Sequence, residues 1–362
     1  MVGKMRIGLV LFLSLLLISL FSGVNAQTAS AQTRLKVGFV FDGPVGDAGY
    51  TKAHDIGRRH LERAVPGVET AYTEKVSVAD AERVISSYAR RGFGLIFTTT
   101  FGFMDPTLKV AKKFPKVVFM NSSGFKVAKN MGNYWAREYQ ARYLTGLVAG
   151  RMTRSNLIGY VAAHPIPPVM RGINGFFLGV RAVNPRAKVR VIFTQTWYDP
   201  AKEREAADSL IDVGADVIAQ HQDSPAPVQV AQNRGKYAIG YNWDMSPFGP
   251  KAHLTAAIFR WGVFYEALAK AVLAGTWKSE ALFWGMKRGA VDIAPLNAAV
   301  PKDIARLVTE KKKAIISGSF DVFHGPLKDR DGKERVAAGK RATDPQLLSM
   351  GYLLEGVEGT LP

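Results

Sequence analysis

Aromatic rings and hydrogen-bonding edges fall together in this chain where the backbone is expected to leave a strand. Tyr50, Phe101, Phe103, Trp197, Tyr198 and Trp243 supply flat faces. Asp47, Asn121, Asp223, Asn242 and Asp244 supply carboxylates and amides. Rings hold a planar molecule by stacking, and carboxylates fix its orientation by accepting from its N–H or O–H groups. At strand ends, where the backbone turns toward solvent, such residues are poorly explained as core. As a set, with Gly102 beside Phe101 after the third strand, they describe a cleft for a flat aromatic ligand.

Signs of catalysis or metal binding are weak by comparison. The six histidines, His54, His60, His164, His221, His253 and His324, stand singly, and the chain has no cysteine. A zinc site by ligand spacing is therefore unsupported, as are H-E-x-x-H, G-x-S-x-G and the Walker phosphate loop. His164 and His221 fall at expected strand ends and read as hydrogen-bonding residues rather than general bases. Strand-end carboxylates can serve as acid or base, so the residues alone leave a hydrolase open. No catalytic residue, metal ligand or cofactor is assigned.

The elements that must position these side chains alternate. Strands are predicted near 36–41, 68–72, 94–99 and 117–121, with helices near 49–64, 78–91 and 105–114 and a longer one over 135–152. The alternation then restarts, with strands near 157–162, 188–193, 216–220 and 236–241 and helices near 168–183, 200–213 and 225–234. Strand alternating with helix is the pattern of a parallel sheet covered on both faces. The two runs keep step: 158 − 37 = 121, 218 − 96 = 122 and 239 − 118 = 121 separate matching strand centres. A constant offset implies two lobes of one plan.

The organising stretch is Lys36 to Arg59. An apolar strand leads into Asp42-Gly43-Pro44-Val45-Gly46-Asp47-Ala48-Gly49, and a helix starts near Tyr50. Its glycines do not match G-x-G-x-x-G, and Pro44 removes an N–H that a pyrophosphate would need. Asp105-Pro106, Asp199-Pro200 and Ser224-Pro225 each pair an N-cap residue with a proline at the first helical position. They fix the carboxyl ends of the preceding strands, where open α/β sheets bind ligands. Lobe one is expected over 34–132 plus 253–283, and lobe two over 133–252 plus 284–320. Residues 321–362 are expected as a C-terminal tail packing on both.

Residues 1–31 read as a secretory signal peptide. Lys4 and Arg6 precede the apolar run Ile7 to Phe21, and small-residue cleavage sites follow at Ala26 and Ala31. Without cysteine there is no thiol for a lipid anchor, so a periplasmic protein is expected. The formal charge is +18, or 18 − 2 = +16 without Lys4 and Arg6. The basic residues are scattered in pairs such as Arg58-Arg59 and Lys112-Lys113, at expected helix ends where cations complement the helix dipole. That favours a solvated surface over a nucleic-acid partner.

Four stretches carry a family resemblance. They are Gly46-Asp47-Ala48-Gly49-Tyr50-Thr51, Phe97-Thr98-Thr99-Thr100-Phe101-Gly102, Thr196-Trp197-Tyr198-Asp199-Pro200 and Gln220-His221-Gln222-Asp223-Ser224-Pro225-Ala226-Pro227. Together they resemble the basic membrane protein family, substrate-binding proteins of ATP-driven importers, over essentially the whole mature chain. The resemblance implies a periplasmic-binding-protein type I fold: two doubly wound lobes, three crossings and a ligand cleft between them. It implies no catalysis, a membrane permease as partner and a monomeric protein. Nucleoside-binding members start the first helix with Ser-Phe-Asn. Gly49-Tyr50-Thr51 here is similar to the branch that takes free purine bases such as adenine, with Tyr50 stacking on the base. The alternatives are a nucleoside, another heteroaromatic solute, or an enzyme acting on nucleosides.

Overall fold

Strand and helix alternate from Leu35 onward because apolar runs facing two ways are separated by amphipathic ones. The computed structural model describes residues 34–361. The signal-peptide expectation therefore lies outside the described residues. Along the first half run β1 (Leu35–Val40), α1 (Tyr50–Ala64), β2 (Val68–Thr73), α2 (Val78–Arg90), β3 (Leu95–Thr98), α3 (Met104–Lys113), β4 (Val118–Ser122) and β5 (Met131–Ala136). The second repeats them as α4 (Glu138–Met152), β6 (Leu157–Ala162), α5 (Pro167–Val183), β7 (Lys188–Phe193), α6 (Pro200–Asp212), β8 (Val217–His221), α7 (Ala226–Asn233), β9 (Tyr237–Asn242) and β10 (His253–Phe259). The rest comprises α8 (Trp261–Leu273), β11 (Ala281–Trp284), β12 (Val291–Ile293), α9 (Lys302–Ser317), β13 (Leu327–Lys328), β14 (Glu334–Val336), α10 (Asp344–Leu348) and β15 (Val357–Glu358).

Two large sheets result among the described residues, with strand orders β11-β5-β4-β3-β1-β2 and β12-β10-β9-β8-β6-β7-β15, beside a two-stranded sheet of β13 and β14. The shared middle order, with β1 answering β6 and β3 answering β8, is the repeat expected from the 121-residue offset. It extends one strand further, since 253 − 131 = 122 separates the starts of β5 and β10. Strand β1 feeds two cores. Val37 and Phe39 of β1 enter the central cluster, while Val40 faces the outer cluster with Ile85 and Phe103. Helices α4 and α5 pack backbone to backbone: a Cβ on Gly146 would lie 2.1 Å from the Phe176 carbonyl oxygen.

The structure shifts some expected boundaries. Sequence reading ran a helix from 135 and closed lobe one at 132. Instead Met131–Ala136 is a strand parallel to β4. It is buried on both faces and so lacks the alternation that marks a strand. Residues 253–259, expected in lobe one, pair with β9 as the matching strand of the second sheet. Helix α3 begins at Met104, one residue before Asp105, and α7 begins at Ala226. Two of the three expected caps bond following N–H groups: Asp199 accepts from Ala201 and Lys202, and Ser224 Oγ from Ala226 at 3.2 Å, whereas Asp105 accepts from Lys126 Nζ instead. The C-terminal tail adds β15 to the edge of the second sheet beside β7.

The chain passes between sheets three times: after β5 at Arg137, after β10 at Arg260, and between β11 and β12. These crossings are tied to one another. The Arg137 N–H donates to the Trp284 carbonyl at 2.8 Å, and the Arg260 N–H to that of Ala290 at 2.9 Å. Just beyond the first crossing, Glu138 accepts from Arg171 Nε at 3.0 Å and Nη2 at 3.2 Å. Both side chains are buried, at 2 % and 1 % exposure. Removing one partner of such a pair strands the other charge. Arg171→Met should therefore lower unfolding stability by about 3–5 kcal/mol, read as a fall in the urea midpoint. An unchanged midpoint would show that the pair does not hold the second lobe to the crossing.

Candidate functional site

The carboxyl ends of both sheets face a cavity of about 410 Å³. From the first lobe come Asp42 after β1, Tyr50 at the start of α1, Thr100, Phe101 and Gly102 after β3, and Ser123 after β4. The second lobe contributes His164 after β6, Trp197 after β7, His221 and Asp223 at the end of β8, and Tyr241 of β9. Trp135, next to the first crossing, joins the lining between them. Ala48, Ser123, Gln195 and Asn242 in these strand-end turns all have positive φ without being glycine. Backbone held in that region is characteristic of ligand-binding turns.

The rings are fixed by their surroundings. The Tyr50 hydroxyl donates to the Thr99 carbonyl at 2.7 Å and lies 2.9 Å from Ser122 Oγ. Its ring stands edge-on to His54, with centroids 4.4 Å apart. Trp197 packs edge-on against His164 at 5.0 Å, yet remains 36 % exposed. Phe101 is half exposed at the mouth, near Phe125.

The cavity's electrostatics are one-sided. Among the described residues no lysine or arginine lines it, while Asp42 and Asp223 face it from opposite lobes. Burial raises the pKa of Asp42. Burial pushes that of Asp223 well up, helped by the negative charges of Asp47, Asp42 and Glu203. His221 is held neutral: burial, then Arg142 and Arg171, drive its pKa well down. Such a lining rejects phosphate and suits a molecule that presents N–H or O–H donors.

Of the nine residues expected at the site, Tyr50, Phe101, Gly102, Trp197 and Asp223 line this cavity. The other four do not. Asp47 is spent on the fold: its oxygens accept from the N–H groups of Gly49 (2.8 Å), Thr51 (2.9 Å) and Lys52 (3.0 Å). The helix N-terminus offered to a ligand is thus already capped. Asn121 turns inward and donates to Thr98 Oγ1 and the Thr100 carbonyl. Asn242 stands behind Asp223 and donates to its Oδ1 at 3.1 Å. Asp244 lies in a different hollow, near His60 and Arg260, and accepts from the Ser246 N–H. Phe103 belongs to the core. The indole of Trp243 donates to the Ala48 carbonyl, joining the lobes. Beside that contact Gly49 is required, because a Cβ there would lie 2.1 Å from the Asp223 carbonyl oxygen.

Sequence reasoning missed Asp42, Trp135 and Tyr241. Asp42 is the first polar residue after the apolar run of β1, a signal that was present. Trp135 sits on the unrecognised strand β5. Tyr241 is the penultimate residue of β9 and was passed over for the polar Asn242. No described cluster of histidine, aspartate and glutamate could hold a metal ion, and no described helix is long and apolar enough to cross a membrane.

Residues 34–320 match the family model Bmp, described as ABC transporter substrate-binding protein PnrA-like. A purine-binding protein of Brucella abortus is 48% identical over 336 residues, covering 92% of this chain and 96% of the relative. A Haloferax volcanii protein named as an ABC transporter glucose-binding protein is 38% identical over 324 residues, covering 90% and 80%. Among solved structures, a solute-binding protein of an ABC transporter system from Conexibacter woesei superposes with a TM-score of 0.68 at 25% identity. It covers 79% of this chain and 98% of its own.

Asp47→Ala removes the acceptor for three helix N–H groups. The variant should lose about 1–2 kcal/mol of stability in denaturant unfolding. A wild-type midpoint would return Asp47 to the list of ligand contacts.

Proposed function

The chain belongs to the Bmp family of PnrA-like ABC transporter substrate-binding proteins, and from that premise we propose that it captures a purine for an ABC importer. The proposed ligand is a free base such as adenine. The observation that carries this reading is the pairing of rings with two carboxylates in a cavity that no lysine or arginine among the described residues lines. A purine offers a planar face to Tyr50 and Trp197, and its amino and ring N–H groups are donors for Asp223 and Asp42. An enclosed carboxylate without its donor is costly, so these residues discriminate by the ligand's edge while the rings supply general affinity.

Two features favour the base over the nucleoside. Much of the cavity lining is apolar, with Val78, Phe101, Ile166, Pro168 and Trp197, and ribose hydroxyls set against these residues would lack partners. The helix start Gly49-Tyr50-Thr51 also lacks the asparagine of nucleoside-binding members. The name of the Brucella abortus relative supports a purine; that of the Haloferax volcanii relative makes glucose the necessary control. In this reading the protein works as a monomer in the periplasm, exported by residues 1–31. It closes over its solute, hands it to the membrane-spanning subunits and performs no chemistry on it.

Titration calorimetry with adenine, hypoxanthine, guanine, adenosine and glucose tests the proposal. Adenine should bind more tightly than adenosine, and glucose should give no heat. Trp197→Ala should weaken every purine by about one to two powers of ten. Asp223→Asn should instead reorder the three bases, whereas Asp244→Asn should leave their affinities unchanged. Glucose binding with silent purines, or an unchanged order in Asp223→Asn, would contradict the reading.

A further inference from the structure

Behind the wall of the cavity lies a buried charge that the fold does not neutralise. Among the described residues three arginines are buried: Arg58, Arg142 and Arg171. Arg58 pairs with Asp55 and Arg171 with Glu138. Arg142, on α4, is fully buried and has no carboxylate partner among the described residues. Its Nη1 donates to the Gln220 carbonyl at 2.8 Å, but its Nε and Nη2 have no hydrogen-bond partner. The guanidinium lies over the ring of Tyr241, 3.7 Å from its centroid.

A second unpartnered group is close by. His221 Nδ1 is buried and makes no hydrogen bond. The two are linked through Gly172 on α5. A Cβ built there would lie 3.4 Å from His221 Nδ1 and 3.7 Å from Arg142 Nε. Both unpartnered nitrogens therefore border α5 at Gly172. The available carboxylates are committed elsewhere, Glu138 to Arg171 and Asp223 to Asn242 at the cavity.

We infer that a small monovalent anion of the halide class sits between the two nitrogens, accepting from Arg142 Nε–H and from His221 Nδ1–H beside Gly172. An arginine buried without compensation is strongly unfavourable, and charge-assisted donors need an acceptor. A water molecule could accept from two donors but would leave the charge standing. The anion also sets the His221 tautomer: with the proton on Nδ1, Nε2 is an acceptor. The site thus lies behind the ligand cavity and reaches it through His221, whose ring lines both.

The test uses the full chain with no organic solute, so its outcome is independent of the purine reading. Crystals grown in sodium bromide should show an anomalous peak at hydrogen-bond distance from Arg142 Nε and His221 Nδ1. At constant ionic strength, replacing gluconate with bromide should raise the melting midpoint with the logarithm of bromide concentration. Gly172→Ala places a methyl group in the site at a helical position that tolerates alanine, so it should fold and lose this dependence. Water density without an anomalous signal would overturn the inference. So would an equal bromide response in the wild type and Gly172→Ala.

Discussion

Three chain crossings, hydrogen-bonded to one another, set the geometry on which everything else depends. Two sheets with the same strand order can present their carboxyl ends to a single cavity only if the chain passes between them at matching points. Arg137 leaves β5, Arg260 leaves β10, and each backbone N–H is held by the segment joining β11 to β12. Every cavity-lining turn in one lobe thus has a partner in the other, as with Thr100 and Phe101 after β3 and Asp223 after β8. Hinged closure of two such lobes needs few residues to change conformation.

The cavity's chemistry follows from what that geometry brings together. Rings are supplied mostly where strands end and helices begin, and the Tyr50 ring is anchored by its hydroxyl to Thr99. Carboxylates arrive from both lobes, so a ligand's donors tie one lobe to the other. In the proposed reading each carboxylate is costly to enclose unless the ligand supplies a proton donor, which would couple recognition to closure. The contacts of Trp243 with Ala48 and of Gly49 with Asp223 show how closely the lobes meet at one edge of the site.

Much of this plan was legible in the sequence, because it rests on periodicity and spacing. The constant offset between halves marked the repeat, and the apolar runs ending at Phe41, Thr98 and His221 marked where the site would form. What was not legible was the use to which each polar residue is put. Asp47 at a glycine-rich turn reads equally as a ligand contact or a helix cap, and only its three N–H partners decide. Asn121 and Asn242 lie at correct strand ends, but their amides turn to neighbouring backbone and side chains. Strand β5 escaped because it is buried on both faces, and Trp135 was lost with it.

The central claim is that a planar donor-bearing solute is held between the lobes by rings and carboxylates together. A crystal structure of the chain with adenine tests it most directly. The account places the ring against Tyr50 and Trp197, with an N–H group donating to the Asp223 carboxylate. Adenine bound outside this cavity, or inside it with Asp223 facing no donor, would contradict the account.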